Sequence, residues 1–329
     1  MSNSSTFFVF VTTGNCAIIF LIFLTILGDL AVYAAFFLNR SLRTRTNVFF
    51  LSLVTSDILL ALLIMPLEIV RLSNYPYWPF GPTVCNVFNS GFVSLGSASI
   101  CNLCATGIDR YLAISRPLRY CREISNTIVA SIAFIWLFAF ISGFISYFIW
   151  SRSRPLICAD LSAPLTYSVL LLLFDLLAPF VICLFVYAKI FRISRQQARR
   201  INSTCRWIGR EHHYASQAKK SAKTLSILVG LFALAYLPFL IFHAIDGAFN
   251  EQLPNRFYFG GVVKWLVFAN SSFNWAVYGF LNKEYRKALL KICGALWCKR
   301  RHRITDQDDD VAAYTISYRN MAPTKNQIS

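Results

Sequence analysis

Charge is scarce in this chain, and its distribution limits what the chain can be. Only 14% of the 329 residues are charged against 56% hydrophobic, a balance too apolar for a soluble domain of this length. Acid is the scarcer sign, with 15 Asp and Glu against 32 Lys and Arg. The resulting formal charge of +17 reads as membrane topology and attraction to anionic lipid rather than as nucleic-acid binding. The sequence also lacks an internal repeat, a Gly-rich phosphate loop and any nucleophile–base or zinc-ligand spacing, so nothing supports an enzyme. Residues 1–15 lack the basic n-region of a cleaved leader, and the first apolar span is expected to insert as its own signal anchor.

What the chain does contain is apolar residues in blocks. Candidate spans are Cys16–Leu38, Val48–Val70, Val87–Ile114, Ile128–Trp150, Tyr167–Phe191, Leu225–Ala248 and Val262–Leu281. Each is about 20 residues or longer, the length a helix needs to cross a bilayer. Backbone groups in lipid must satisfy one another, so the reading is an all-α membrane protein, a bundle of seven transmembrane helices. Lys and Arg fix its orientation. Arg40, Arg43 and Arg45, then Arg116, Arg119 and Arg122, then Arg192 to Lys223, then Lys283 to Arg301 follow spans one, three, five and seven. The positive-inside rule places the N-terminus outside and the tail in the cytosol of a multi-pass plasma-membrane protein. Three regions follow: an extracellular 1–15, a bundle with its appended helix over 16–294, and a disordered cytoplasmic tail over 295–329.

Asn3-Ser4-Ser5 is a glycosylation sequon on the outer side. Of ten cysteines, Cys85 and Cys158 fall outside, where disulfides persist. A bridge between them would pin the second outer loop to the top of the third span; two free surface thiols are the alternative. Residues 282–291 are amphipathic and basic on one face, a short eighth helix lying along the membrane. Cys293 and Cys298 beside it are placed for palmitoylation.

No residue between Cys85 and Asp109 is charged, and a helix over that interval is roughly 36 Å long. It ends in Asp109-Arg110-Tyr111. Leu53-Val54-Thr55-Ser56-Asp57 lies in the second span, Trp136 in the fourth, Pro179 and Tyr187 in the fifth, Phe232 and Pro238 in the sixth, and Asn274 and Tyr278 in the seventh. Together these motifs resemble those of the rhodopsin-like G-protein-coupled receptors, over about residues 16–294. The resemblance implies a receptor that turns binding of an extracellular ligand into activation of a heterotrimeric G protein, with arrestin and receptor kinases as further partners of the tail.

It also implies roles. Asp109, Arg110, Tyr111, Tyr187, Asn274 and Tyr278 would form the cytoplasmic switch, with Phe232, Tyr236, Pro238 and Pro179 as the core relay. Asp57, Ser99, Asn270 and Asn274 match the family's Na⁺ pocket, with Asp29 nearby where the family carries Asn. No other cofactor is expected. Tyr236 replaces the family's sixth-helix Trp, and Trp275 replaces a seventh-helix Pro. The family's acid near the start of the sixth helix corresponds to Ala218, followed by Lys219 and Lys220, so ligand-independent activity is expected.

The amine-receptor branch is the nearest in motif, through Leu237-Pro238-Phe239, Trp265 and Pro117-Leu118-Arg119-Tyr120. Its third-helix Asp is replaced by Phe92, so the main contact for an ammonium is gone. Asp175 is the expected substitute. The expected ligand pocket comprises Phe92, Asp175, Tyr236, Phe239, His243, Lys264, Trp265 and Phe268, with Glu68 and Asp246 as further polar candidates. An amine-like molecule, another small molecule and a peptide all remain open as ligands, and a seven-helix transporter is the alternative of a different class.

Overall fold

The computed structural model describes residues 2–115, 126–150, 158, 165–204, 209–249, 255–282 and 284–291. Helix α1 is Ser2–Leu38, followed by a short 3₁₀ turn at Arg40–Leu42. Helix α2 runs Arg45–Leu59, widens into a π turn at Leu60–Ile64 and resumes as Met65–Ser73. Helices α3 and α4 are Gly81–Ser115 and Asn126–Trp150. Helix α5 is also interrupted, as Leu165–Leu171, a π turn at Leu172–Leu177, and Ala178–Thr204. Helix α6 is Gly209–Ala248, α7 is Arg256–Leu281, and a short α8 covers 284–291.

Both π turns precede a proline, Pro66 and Pro179. Proline has no N–H to give the carbonyl four residues back, and widening the turn absorbs the mismatch without breaking the rod. In α6, Pro238 sits inside the helix. Six of the described helices are long and apolar enough to cross a membrane. The seventh, α7, carries Lys264, Asn270, Ser271, Ser272 and Asn274, all buried, which dilutes its apolar character while turning polar groups inward.

Helix α3 is the axis of the bundle. It packs on α2, α4, α5 and α6, while α7 closes the ring against α6 and α1. A Cys85–Cys158 disulfide ties its outer end to the second outer loop. Helix α4 stands at the rim, and Phe134, Leu137, Phe140, Phe144 and Phe148 face outward, where lipid would meet them. Below α7, Tyr285 of α8 is fully buried against Phe50 and Tyr278.

The first helix differs from the sequence expectation by starting at Ser2, well before Cys16. The reason is aromatic packing. Phe7 stacks on Phe257 at 5.6 Å, and Phe10 stacks on Trp265 at 4.8 Å while meeting Tyr258 edge-on, which holds the added turns on the outer end of α7.

Candidate functional site

Between α3, α5 and α6 lies a cleft of about 550 Å³ including its open mouth, within the range of small-molecule sites. Its wall is mainly apolar, with Phe92, Phe232, Tyr236 and Phe239 as the aromatic members. Asp175 is the one carboxylate among the described residues of that wall, and His243 lines it as well. The π turn of α5 carries Asp175, and its two oxygens accept from Ser97 of α3 at 2.9 Å and Ser142 of α4 at 3.3 Å. A carboxylate so held is fixed in direction yet keeps lone pairs free for a further donor.

Five expected pocket residues therefore line the cleft: Phe92, Asp175, Tyr236, Phe239 and His243. The other three stand behind or beside it. Phe268 meets Phe92 edge-on from α7, Lys264 lies against the rings of Phe88 and Phe92, and Trp265 turns to α1. Glu68 pairs with Lys264 at 2.8 Å, and Asp246 pairs with Arg256 at 2.9 Å across the outer ends of α6 and α7. Sequence reasoning missed Ser97, Ser142 and Gly96. A Cβ at Gly96 would come within 3.1 Å of the Tyr236 hydroxyl, so this glycine gives the phenol its place.

Under the cleft, Phe232 stacks on Tyr236 at 4.0 Å. The carbonyl of Pro179 accepts from the Cys104 thiol at 3.3 Å, joining α5 to α3 at the same depth. Trp275 lies directly on Gly28 of α1, where any side chain would collide with the indole. That contact gives the replacement of proline a packing role.

Deeper still, Asp57 accepts from Asn274 at 2.8 Å. Ser99 bonds to Ser56 at 3.0 Å. Asp29 and Asp57 are fully buried. Both oxygens of Asp29, Oδ1 of Asp57 and Oδ1 of Asn270 are buried without a hydrogen-bond partner. Asp29 and Asp57 are near enough for their charges to interact, and carboxylate oxygens buried together without a donor are what a hard cation fits.

At the cytoplasmic end, Asp109 is buried and accepts from Thr46 of α2. Arg110 is half-buried, and Tyr111 likewise. Tyr278 lies within the electrostatic reach of both Asp109 and Arg110 and stacks on Phe50 at 3.4 Å. Asp109, Arg110 and Tyr278, expected to form the switch, therefore share one end of the bundle. The side chains of Tyr187 and Ala218, and Cys293 and Cys298 entirely, fall outside the described residues, as does the side chain of Asn3.

Residues 28–278 match the family model described as the seven-transmembrane receptor (rhodopsin family). Among similar proteins, the histamine H2 receptor of Cavia porcellus is 33% identical over 294 residues, covering 86% of this chain and 79% of its own. The histamine H2 receptor of Rattus norvegicus is 34% identical over 284 residues, covering 82% and 75%. The D(1B) dopamine receptor of Xenopus laevis is 31% identical over 329 residues, covering 88% and 71%.

Proposed function

The chain belongs to the rhodopsin family of seven-transmembrane receptors, and from that premise we propose that its ligand is a small amine whose ammonium is received by Asp175. As a family member it is a multi-pass plasma-membrane receptor, not an enzyme, and it couples an extracellular ligand to a G protein. The family match sets the transporter alternative aside.

One observation carries the amine reading: among its described residues the cleft wall holds a single carboxylate, pre-oriented by Ser97 and Ser142 and set among aromatic rings. A buried carboxylate without a cationic partner is costly, and an ammonium supplies charge and donors together. The names of the relatives, histamine and dopamine receptors, support the same class. The aromatic wall suits the body of an aryl amine. The test is a second-messenger screen of wild type against Asp175→Ala with amine and non-amine panels. Amines activating wild type but not the variant support the reading; equal activation of both removes Asp175 as the counter-ion.

Binding is transmitted downward through Tyr236 and Phe232, which line the cleft, to the turns at Pro179 and Pro238. The inner response is release of Arg110 from its closed-state surroundings, so that it reaches the cytoplasmic mouth beside Tyr278 and Tyr187. A G-protein helix then docks in that mouth. Asp57, Ser99, Asn270 and Asn274, with Asp29 nearby, would hold a Na⁺ ion, which would supply the positive charge their oxygens call for. Arrestin and receptor kinases act on the tail, Cys293 and Cys298 take palmitate, and Asn3 takes glycan. The basic eighth helix lies on anionic lipid.

A further inference from the structure

Beside the cleft lies a buried charge cluster that contact with Asp175 does not use. Glu68 of α2 accepts from Arg71, one turn on, through Nε at 3.0 Å and through Nη2. Lys264 of α7 reaches the same carboxylate, with Nζ 2.8 Å from Oε2. None of the three side chains is more than 3% exposed. Charges are held this far from water only where their bonding to one another is extensive. The Lys264 ammonium also lies over two ring faces, 4.4 Å from the centroid of Phe88 and 5.4 Å from that of Phe92. A carboxylate and two aromatic faces around an ammonium make up a cation box. Phe92 belongs to both sites: it forms part of the cleft wall and packs on Phe239 and Phe268.

We propose that Lys264 is a cation the receptor supplies to itself: its ammonium fills the box formed by Glu68, Phe88 and Phe92, and thereby closes that side of the cleft to the ammonium of a ligand. A second cation at Phe92 would face like charge in a low dielectric and ring faces already engaged. The ligand ammonium goes to α5, and its uncharged end lies on Phe92 and Phe239. Lys264 thus sets ligand orientation. This rests on the Asp175 reading and adds what enforces it.

Chemical rescue of the full-length receptor tests the box itself. Lys264→Ala ends at Cβ, and n-propylammonium supplies the missing atoms from Cγ to Nζ. Thermal unfolding in detergent is compared in n-propylammonium chloride and equimolar NaCl. The expected result is a rise in midpoint of several degrees for Lys264→Ala, none for wild type, and none for Lys264→Ala/Glu68→Gln. No rise in Lys264→Ala, the same rise in wild type, or a rise persisting without Glu68 overturns the proposal. If Lys264→Ala fails to accumulate, the same comparison is read as surface receptor recovered with n-propylammonium in the medium, and no recovery overturns it.

Orientation is tested in Lys264→Met, which keeps an unbranched side chain as far as Cε and drops the ammonium. With histamine or dopamine as the probe, Asp175→Asn lowers potency by about tenfold or more in wild type and by less than about threefold in Lys264→Met, where Glu68 now accepts the ammonium. Equal losses in both backgrounds overturn the proposal. If neither amine activates wild type, the Asp175 reading fails, and the rescue experiment decides the cation box by itself.

Discussion

Asp175 sits four residues before Pro179, and the missing N–H of that proline leaves the Asp175 carbonyl without its ordinary helical donor. The π turn at Leu172–Leu177 answers that mismatch and carries the carboxylate to within hydrogen-bonding distance of Ser97 and Ser142. Replacing Asp175 by Asn keeps the shape and removes the charge. An amine agonist is expected to lose about tenfold to a hundredfold in potency, in line with roughly 1.5–3 kcal/mol for a charged hydrogen bond. Surface expression, measured in parallel, should hold. Asp175 was legible in the sequence because a carboxylate in an apolar span stands out. Its two serine partners were not, since Ser97 and Ser142 come from other helices and serines are common at many bland positions. The same limit applied to Glu68 and Lys264: each stood out as a polar candidate near the outer half, while their burial and pairing depend on how α2 meets α7.

At the scale of the helix, six spans were readable from apolar length alone, and α7 was recovered in spite of its polar residues. The start of α1 was misplaced because Phe7 and Phe10 gain their helix from contacts with Phe257 and Trp265, far away in sequence. Helix α1 meets α7 again at Gly28, which Trp275 covers. Gly28→Ala forces the indole aside and is expected to destabilise the receptor by on the order of 1–3 kcal/mol, seen as a lowered unfolding midpoint in detergent. Gly28→Ala/Trp275→Ala should recover part of that loss, because the clash is then gone. Helix α3 depends on its disulfide. Cys85→Ser and Cys158→Ser should each lower surface expression, and the double variant should be no worse than either single one. A double variant clearly worse than both would mean the two cysteines act separately.

Across the whole molecule, the outer cleft and the cytoplasmic end are joined by α3, and the closed arrangement is held by contacts between helices. Thr46 of α2 donates to Asp109, so Thr46→Val leaves a buried carboxylate short of a donor, at a cost of about 1–3 kcal/mol to the closed state. Basal second-messenger output should rise above wild type; an unchanged output would separate Asp109 from the closed state. Wild type itself is expected to signal above mock-transfected cells, since Ala218 offers no acid to restrain Arg110. The motif spacing pointed to Asp109, Arg110 and Tyr278 as one expected group, and the contacts of Asp109 with Thr46 and of Tyr278 with Phe50 became visible only in the fold.

Guanine-nucleotide exchange on an added G protein, in membranes carrying wild type, Asp175→Asn or Arg110→Ala, tests the link most directly. An activating amine should drive exchange through wild type, bind Asp175→Asn about tenfold to a hundredfold more weakly, and bind Arg110→Ala with near-normal affinity while driving no exchange. Exchange through Arg110→Ala equal to wild type would contradict the account.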